Sequence, residues 1–307
     1  MAYGAPQKYA LVGKETSWAT GGSANKGVGT VTSDVGTPKT AEVINSTGIS
    51  SRAPVAITRG SEIGGVTLTG DFQNTRLWIF AFGTEVETNS ASDYTHTYSI
   101  VGSTVETALF DIGNNATVDS TEQFTGMLFQ SMELSIELNG VLKQTMEFKG
   151  KAPTTGTSAG TASVSTLPVF PQLLMEIKIN DVAATQIQSA SVTVTSTGEG
   201  LTHGLGTAAP VSGNPLELKF EYKATLAFDS KAFNDLFVDA TAHNFELTGD
   251  NGVAYGSGQR KVYFSLSNCI LSANNEISTV GNITVVELAA EGTYSNAYGV
   301  DNINGLL

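Results

Sequence analysis

A chain of 307 residues is long enough for two domains of roughly 150 residues each, or for one large β domain. With 33 glycines, abundant Ser and Thr, and charged residues at only 15 %, the composition excludes a helical bundle or a disordered chain. The net charge of −13, from 16 basic and 29 acidic residues, excludes a nucleic-acid clamp that works by displacing counterions with basic patches.

Residues 1–40 read as an N-terminal arm, because Gly21-Gly22, Gly27-Val28-Gly29 and Gly36-Thr37-Pro38 interrupt it too often for long elements. Met1–Lys8 lacks a charged-then-apolar signal pattern and no run approaches membrane-spanning length, so synthesis in the cytoplasm is expected. A strand is predicted at Ala41–Ile44, followed by an irregular segment from Ser46 to Gly64. Gly65–Phe72 then alternates as a strand, and Thr75–Phe82 carries an apolar run that predicts a short helix. Short strands are expected at Tyr94–Ile100 and Glu106–Asp111.

The clearest hairpin follows. Met132, Leu134, Ile136 and Leu138 alternate with Ser131, Glu133, Ser135 and Glu137 up to Asn139-Gly140, a dipeptide suited to a tight primed turn. The return strand places Leu142, Met146 and Phe148 on one face. Residues 153–168 lie in a Ser/Thr/Gly-rich stretch without periodicity and read as a linker or loop.

Alternating strands resume at Met175–Asn180 and Ser189–Thr195, and an irregular stretch spans Gly198–Gly213. In Pro215–Ala224, Leu216, Leu218, Phe220 and Tyr222 occupy one face and Glu217, Lys219, Glu221 and Lys223 the other. After Asp229 the period changes. Ala232, Phe233, Leu236 and Phe237 predict a short amphipathic helix over Lys231–Val238, capped by an Asp/Ser residue. Asn244–Thr248, Lys261–Ser267 and Asn282–Ala290 supply the remaining strands.

Strand followed by short helix therefore occurs twice. Ile44–Gly48 (INSTG) aligns with Val194–Gly198 (VTSTG), and the order of loop, strand, helix and closing strand repeats around both. This order predicts two similar β domains, at 41–152 and 169–291, with a C-terminal tail at 292–307.

Catalytic and metal motifs are weak. Gly156-Thr157-Ser158-Ala159-Gly160 fits a hydrolase nucleophile pattern, but it sits in a low-complexity run without the strand-to-helix turn that exposes such a serine. His96, His203 and His243 have no partner at metal-ligand spacing, and solvated side chains are expected at His96 and His203. Asp111–Asn115 lacks the spacing of a calcium loop. The single cysteine, Cys269, lies in an apolar run and reads as a small buried hydrophobe. No cofactor or metal is expected, and the chain does not read as an enzyme.

The segment Val12-Gly13-Lys14-Glu15-Thr16-Ser17-Trp18-Ala19-Thr20 and the strand Ile63–Phe72 resemble motifs of the major tail tube proteins of long-tailed phages and related archaeal viruses. The order of the later elements is similar as well, so the resemblance covers most of the chain, although each motif is loose. It implies a mainly β fold of two tandem tube-type β-sandwich or split-barrel domains, each with one short flanking helix, plus long loops and arms. It also implies a structural virion role: chains join into rings, and rings stack into the tail tube that conducts the genome.

The implied partners are other copies of the chain, with a trimer of pseudo-sixfold symmetry favoured over a hexamer. Tape-measure and terminator or baseplate proteins are also implied, as is double-stranded DNA that passes without specific binding. Candidate lumen or inter-subunit residues are Thr67, Thr69 and Asp71 together with Glu217, Lys219 and Glu221. Ile49, Arg52, Arg59, Glu62, Leu201 and His203 are candidates for arms between rings. Two other classes stay open: a tandem β-sandwich adhesin or carbohydrate-binding module, and another tail part with the same fold, such as a terminator, decoration protein or baseplate hub.

Overall fold

The computed structural model describes residues 8–28, 31–36, 39–47, 54–90, 93–100, 102, 106–114, 121–155, 168–184, 187–205, 207–214, 216–227, 241–255, 258–280 and 283–301. Strands β1 (Lys8–Lys14), β2 (Lys26–Gly27), β3 (Val31–Gly36), β4 (Lys39–Thr47) and β5 (Pro54–Asp71) precede one short helix, α1 (Trp78–Phe82). Next come β6 (Gly83–Ser90), β7 (Asp93–Ile100), β8 (Ala108–Asn114), β9 (Glu122–Glu137), β10 (Lys143–Gly150) and β11 (Thr154–Thr155). A single 3-10 turn at Gln172–Leu174 leads into β12 (Met175–Ile179), β13 (Val182–Ala183) and β14 (Ile187–Ser196). The chain ends in β15 (Leu201–His203), β16 (Pro210–Gly213), β17 (Leu218–Ala227), β18 (His243–Tyr255), β19 (Gly258–Val280) and β20 (Ile283–Asp301).

The strands form a β-sandwich. Its main antiparallel sheet runs β3–β5–β10–β9–β14–β17–β20–β19, with β4 continuing β3 along the same side of β5. A second layer runs β6–β7–β20–β19–β18–β12–β13. The long β19–β20 hairpin serves both layers. Residues 285–292 of β20 pair with β17 and residues 297–301 pair with β7, and bulges between Ser267 and Ala273 bend β19 alongside. A smaller set of strands, β2–β1–β8, joins the N-terminal part of β9.

Helix α1 fills the space between the layers. Trp-Ile-Phe-Ala-Phe is apolar all round and every one of its residues is buried, as such a helix requires. It ends at Gly83, whose φ of 91° lets its N–H return to the Ile79 carbonyl without a Cβ clash. Trp78 packs against Phe72, Tyr98 and Phe264 at ring-centroid separations of 5.8, 5.7 and 6.1 Å, bridging the two layers. The β9–β10 hairpin turns at Asn139, with φ 60°, as its Asn-Gly dipeptide predicts.

Three sequence expectations are corrected. Residues 8–36 of the presumed irregular arm form paired strands, with β1 on β8 and β3 on β5, because a sheet neighbour supplies hydrogen bonds that glycine spacing does not reveal. The segment from Ser46 to Gly64 is not irregular, since β5 starts at Pro54 and pairs with β4. The Gly198–Gly213 stretch contains the β15–β16 hairpin. Strand order also continues past 291 to Asp301, and β9 of the first half pairs directly with β14 of the second. The helix expected over 231–238 lies outside the described residues, as do most of the linker and Ser158.

Candidate functional site

Antiparallel partners share a face of their sheet, and every second residue of a strand points to it. Thr67, Thr69 and Asp71 lie half-buried on the outer face of β5, over buried Val66, Leu68 and Phe72. From Thr69 one row of partners crosses six strands: Thr145, Glu133, Thr193, Glu221 and Glu291. From Asp71 the next row runs through Lys143, Ser135, Ser191 and Lys223. The two groups of residues singled out in distant parts of the sequence therefore occupy one continuous face. Lys219 sits opposite Thr195 on that face, and Glu217 lies just ahead of β17, exposed, its carbonyl accepting from the Thr197 N–H at 2.9 Å.

The face is polar throughout and acidic in balance. Asp71, Glu133, Glu137, Glu147, Glu217, Glu221, Glu287 and Glu291 outnumber Lys143, Lys149, Lys219 and Lys223. Part of the positive charge is already engaged. The Lys219 ammonium donates to Glu291 at 2.8 Å and to Glu221 at 2.9 Å, and these two bonds, Glu291 first, hold its pKa above the ordinary lysine value. Lys149 pairs with Glu199. Beneath the face, Leu134, Met146, Val192 and Tyr222 are fully buried.

Two arms leave the same end of this sheet. The β4–β5 pair runs on beyond Gly64, where β10 stops, for ten residues or roughly 33 Å of strand at about 3.3 Å per residue. The β15–β16 hairpin follows the last residue of β14 and reaches alongside, its Ala208 carbonyl accepting from the Glu62 N–H at 2.8 Å. Glu62 and Arg59 are thus strand residues; Leu201 is half-buried and His203 exposed on the hairpin. Ile49 and Arg52 lie outside the described residues.

Two buried polar clusters escaped the sequence reading. Glu15 is buried, and its carboxylate accepts from the Gly126 N–H at 2.9 Å and the Ala19 N–H at 3.0 Å. Burial raises its pKa, while these bonds pull the other way. Gly126 has φ 62°, and a Cβ there would stand 2.9 Å from the Trp18 ring. The Gly-Lys-Glu-Thr segment is therefore a clamp that fixes the bend of β9.

The second cluster surrounds His96, which is fully buried rather than solvated because β7 lies between β6 and β20. Its Nδ1 meets Glu85 at 2.6 Å and its Nε2 meets Asp301 at 3.2 Å. Burial disfavours the charged ring, but the hydrogen bonds to Asp301 and Glu85 outweigh it and set the pKa at about 9. Glu85, Glu87 and His96 also converge within 4.8 Å as possible metal donors among the described residues. Both ring nitrogens facing carboxylates is the pattern of an imidazolium that donates twice, whereas a metal-binding ring must keep one nitrogen unprotonated.

The arrangement offers a broad wet face, open strand edges and projecting arms, which are means of association rather than of bond making. Among the described residues no helix is long and apolar enough to cross a membrane. A family model described as phage tail tube protein matches residues 7–292. No curated protein matches the chain.

Proposed function

The chain belongs to the phage tail tube protein family, a family of structural virion components, and from that premise we propose that copies of it close into rings, stack, and line the genome conduit with the acidic sheet face. The observation that carries this reading is the unbroken polar row from Thr69 to Glu291, on a sheet whose two outer strands end in open edges. An exposed edge is a template for pairing, and a ring is a way to remove it. The edge formed by β3 and β4 on one chain would pair with the outer part of β19, residues 271–280, on the next.

Ring size follows from strand number. Among the described residues the main sheet contributes eight strands, β3, β5, β10, β9, β14, β17, β20 and β19. Three chains then give about 24 strands; at about 4.8 Å spacing and about 40° tilt, the barrel is roughly 48 Å across between backbones. Six chains would double that and leave a lumen far wider than a duplex fills. A trimer is therefore favoured, with each half of the chain standing for one tube domain and approximate sixfold symmetry resulting.

A lumen with excess carboxylate repels phosphate and lets DNA slide without binding. Tape-measure protein inside the tube, and terminator and baseplate proteins at its ends, complete the proposed set of partners. Electron microscopy of the purified protein tests the proposal: threefold rings or stacked tubes with a central channel are expected, and dispersed monomers at high concentration would sink it.

A further inference from the structure

We propose that the β15–β16 hairpin tip of one copy, led by Leu205, seats on the apolar patch of Leu138, Leu173 and Val182 at the opposite end of a second copy, joining one ring to the next. This rests on the stacked-tube reading and names the contact that stacking uses.

Strand register places the two surfaces. The hairpin leaves the end of the sheet where β14 finishes, near Ser196 and Gly64. The patch surrounds the opposite end, at the Asn139-Gly140 turn, where the Gln172 N–H donates to the Gly140 carbonyl at 3.0 Å and the Leu138 N–H to Gln188 at 2.8 Å. Both surfaces are apolar and without cover in the single chain. Leu205 is 106 % exposed, Leu173 84 %, Val182 60 % and Leu138 48 %. Clustered exposed apolar residues of this kind mark contact surfaces. A groove of about 210 Å³ opens beside the patch, floored by Ile136, Met175 and Ile187.

A second copy is the occupant that both composition and polarity select. Between Leu201 and Gly213 the hairpin carries no Asp, Glu, Lys or Arg, so no strongly hydrated charge must be stripped to enter an apolar groove. Its one ionisable side chain, His203, would meet Glu137 and Glu176, which line the groove. Because knob and groove lie at opposite ends of the same sheet, the contact is heterologous. It propagates in one direction and leaves a free knob and a free groove at the two ends, which is the geometry of a stack rather than of a closed dimer.

Cysteine trapping tests this. The native thiol, Cys269, is buried and its pKa is pushed up to about 11 by burial, so it contributes no background. In assembled Leu205→Cys/Leu173→Cys protein, mild oxidant should produce a ladder of covalent multimers that neither single variant gives. Leu205→Asp should form rings normally but shorten the stacks at least tenfold. Full-length stacks in Leu205→Asp, or no ladder in the double variant, would overturn the contact while leaving the tube reading intact. Wild-type protein that makes no stacks overturns the tube reading, and this contact with it.

Discussion

At the scale of single residues, the buried acids and the buried histidine make the sharpest predictions. Glu15→Ala leaves the Gly126 and Ala19 amides without their acceptor, and should destabilise the protein by about 1–3 kcal/mol in chemical denaturation. His96 should make stability depend on pH in the alkaline direction. Its folded pKa of about 9 exceeds the unfolded value of 6.5, so its contribution is complete below pH 6.5 and disappears as pH rises through about 9. The size of the effect is on the order of 3 kcal/mol. Thermal unfolding from pH 6 to pH 10 should show this slope in the wild type and lose it in His96→Gln. Neither cluster could be read from the sequence. His96 lies in a run of polar residues that looks like a wet strand, and its partners Glu85 and Asp301 are distant along the chain.

At the scale of elements, alternation was a reliable guide wherever a strand has one wet face. β9, β10, β14 and β17 each place the expected side chains inward, and Phe220 and Tyr222 are buried as their period requires. Tyr222 stacks on Phe245 with ring centroids 4.4 Å apart, and Phe220 lies 5.8 Å from Tyr294. Phe220→Ala should therefore cost about 3–5 kcal/mol, measured by urea denaturation, and lower the yield of assembled rings in proportion. Leu138 shows the limit of the pattern: it keeps the alternation, yet is 48 % exposed because the strand runs past the end of the layer that would cover it. β5 was missed over its first ten residues because a two-stranded arm has no buried face to impose a period.

At the scale of the whole molecule, the acidic sheet face is expected to govern passage of DNA rather than folding. Changing Asp71, Glu217 and Glu221 together to Lys should leave ring assembly intact, since these side chains lie outside the core, but slow genome ejection several-fold in a DNA-release assay and make it salt-dependent. Ejection at the normal rate from well-formed variant tubes would remove the lumen assignment. The main sheet also runs across both halves of the chain through the β9–β14 pair, and β20 returns to pair with β7. The two halves thus share layers, and the joint between them is as continuous as any other part of the sheet.

The sequence alone determined the β class, the Asn-Gly hairpin, the buried helix at Trp78–Phe82 and which side of each central strand is polar. All of these depend on residues within a few positions of one another, where period, turn chemistry and glycine content act directly. The tertiary structure decided that Asp71 and Glu221 lie on the same face, that the arms leave one end and the exposed leucines crowd the other, and that Glu15 and His96 are buried. Those facts depend on register between strands far apart in the chain. Register is set by how whole faces fit together in the sandwich, which no local pattern encodes.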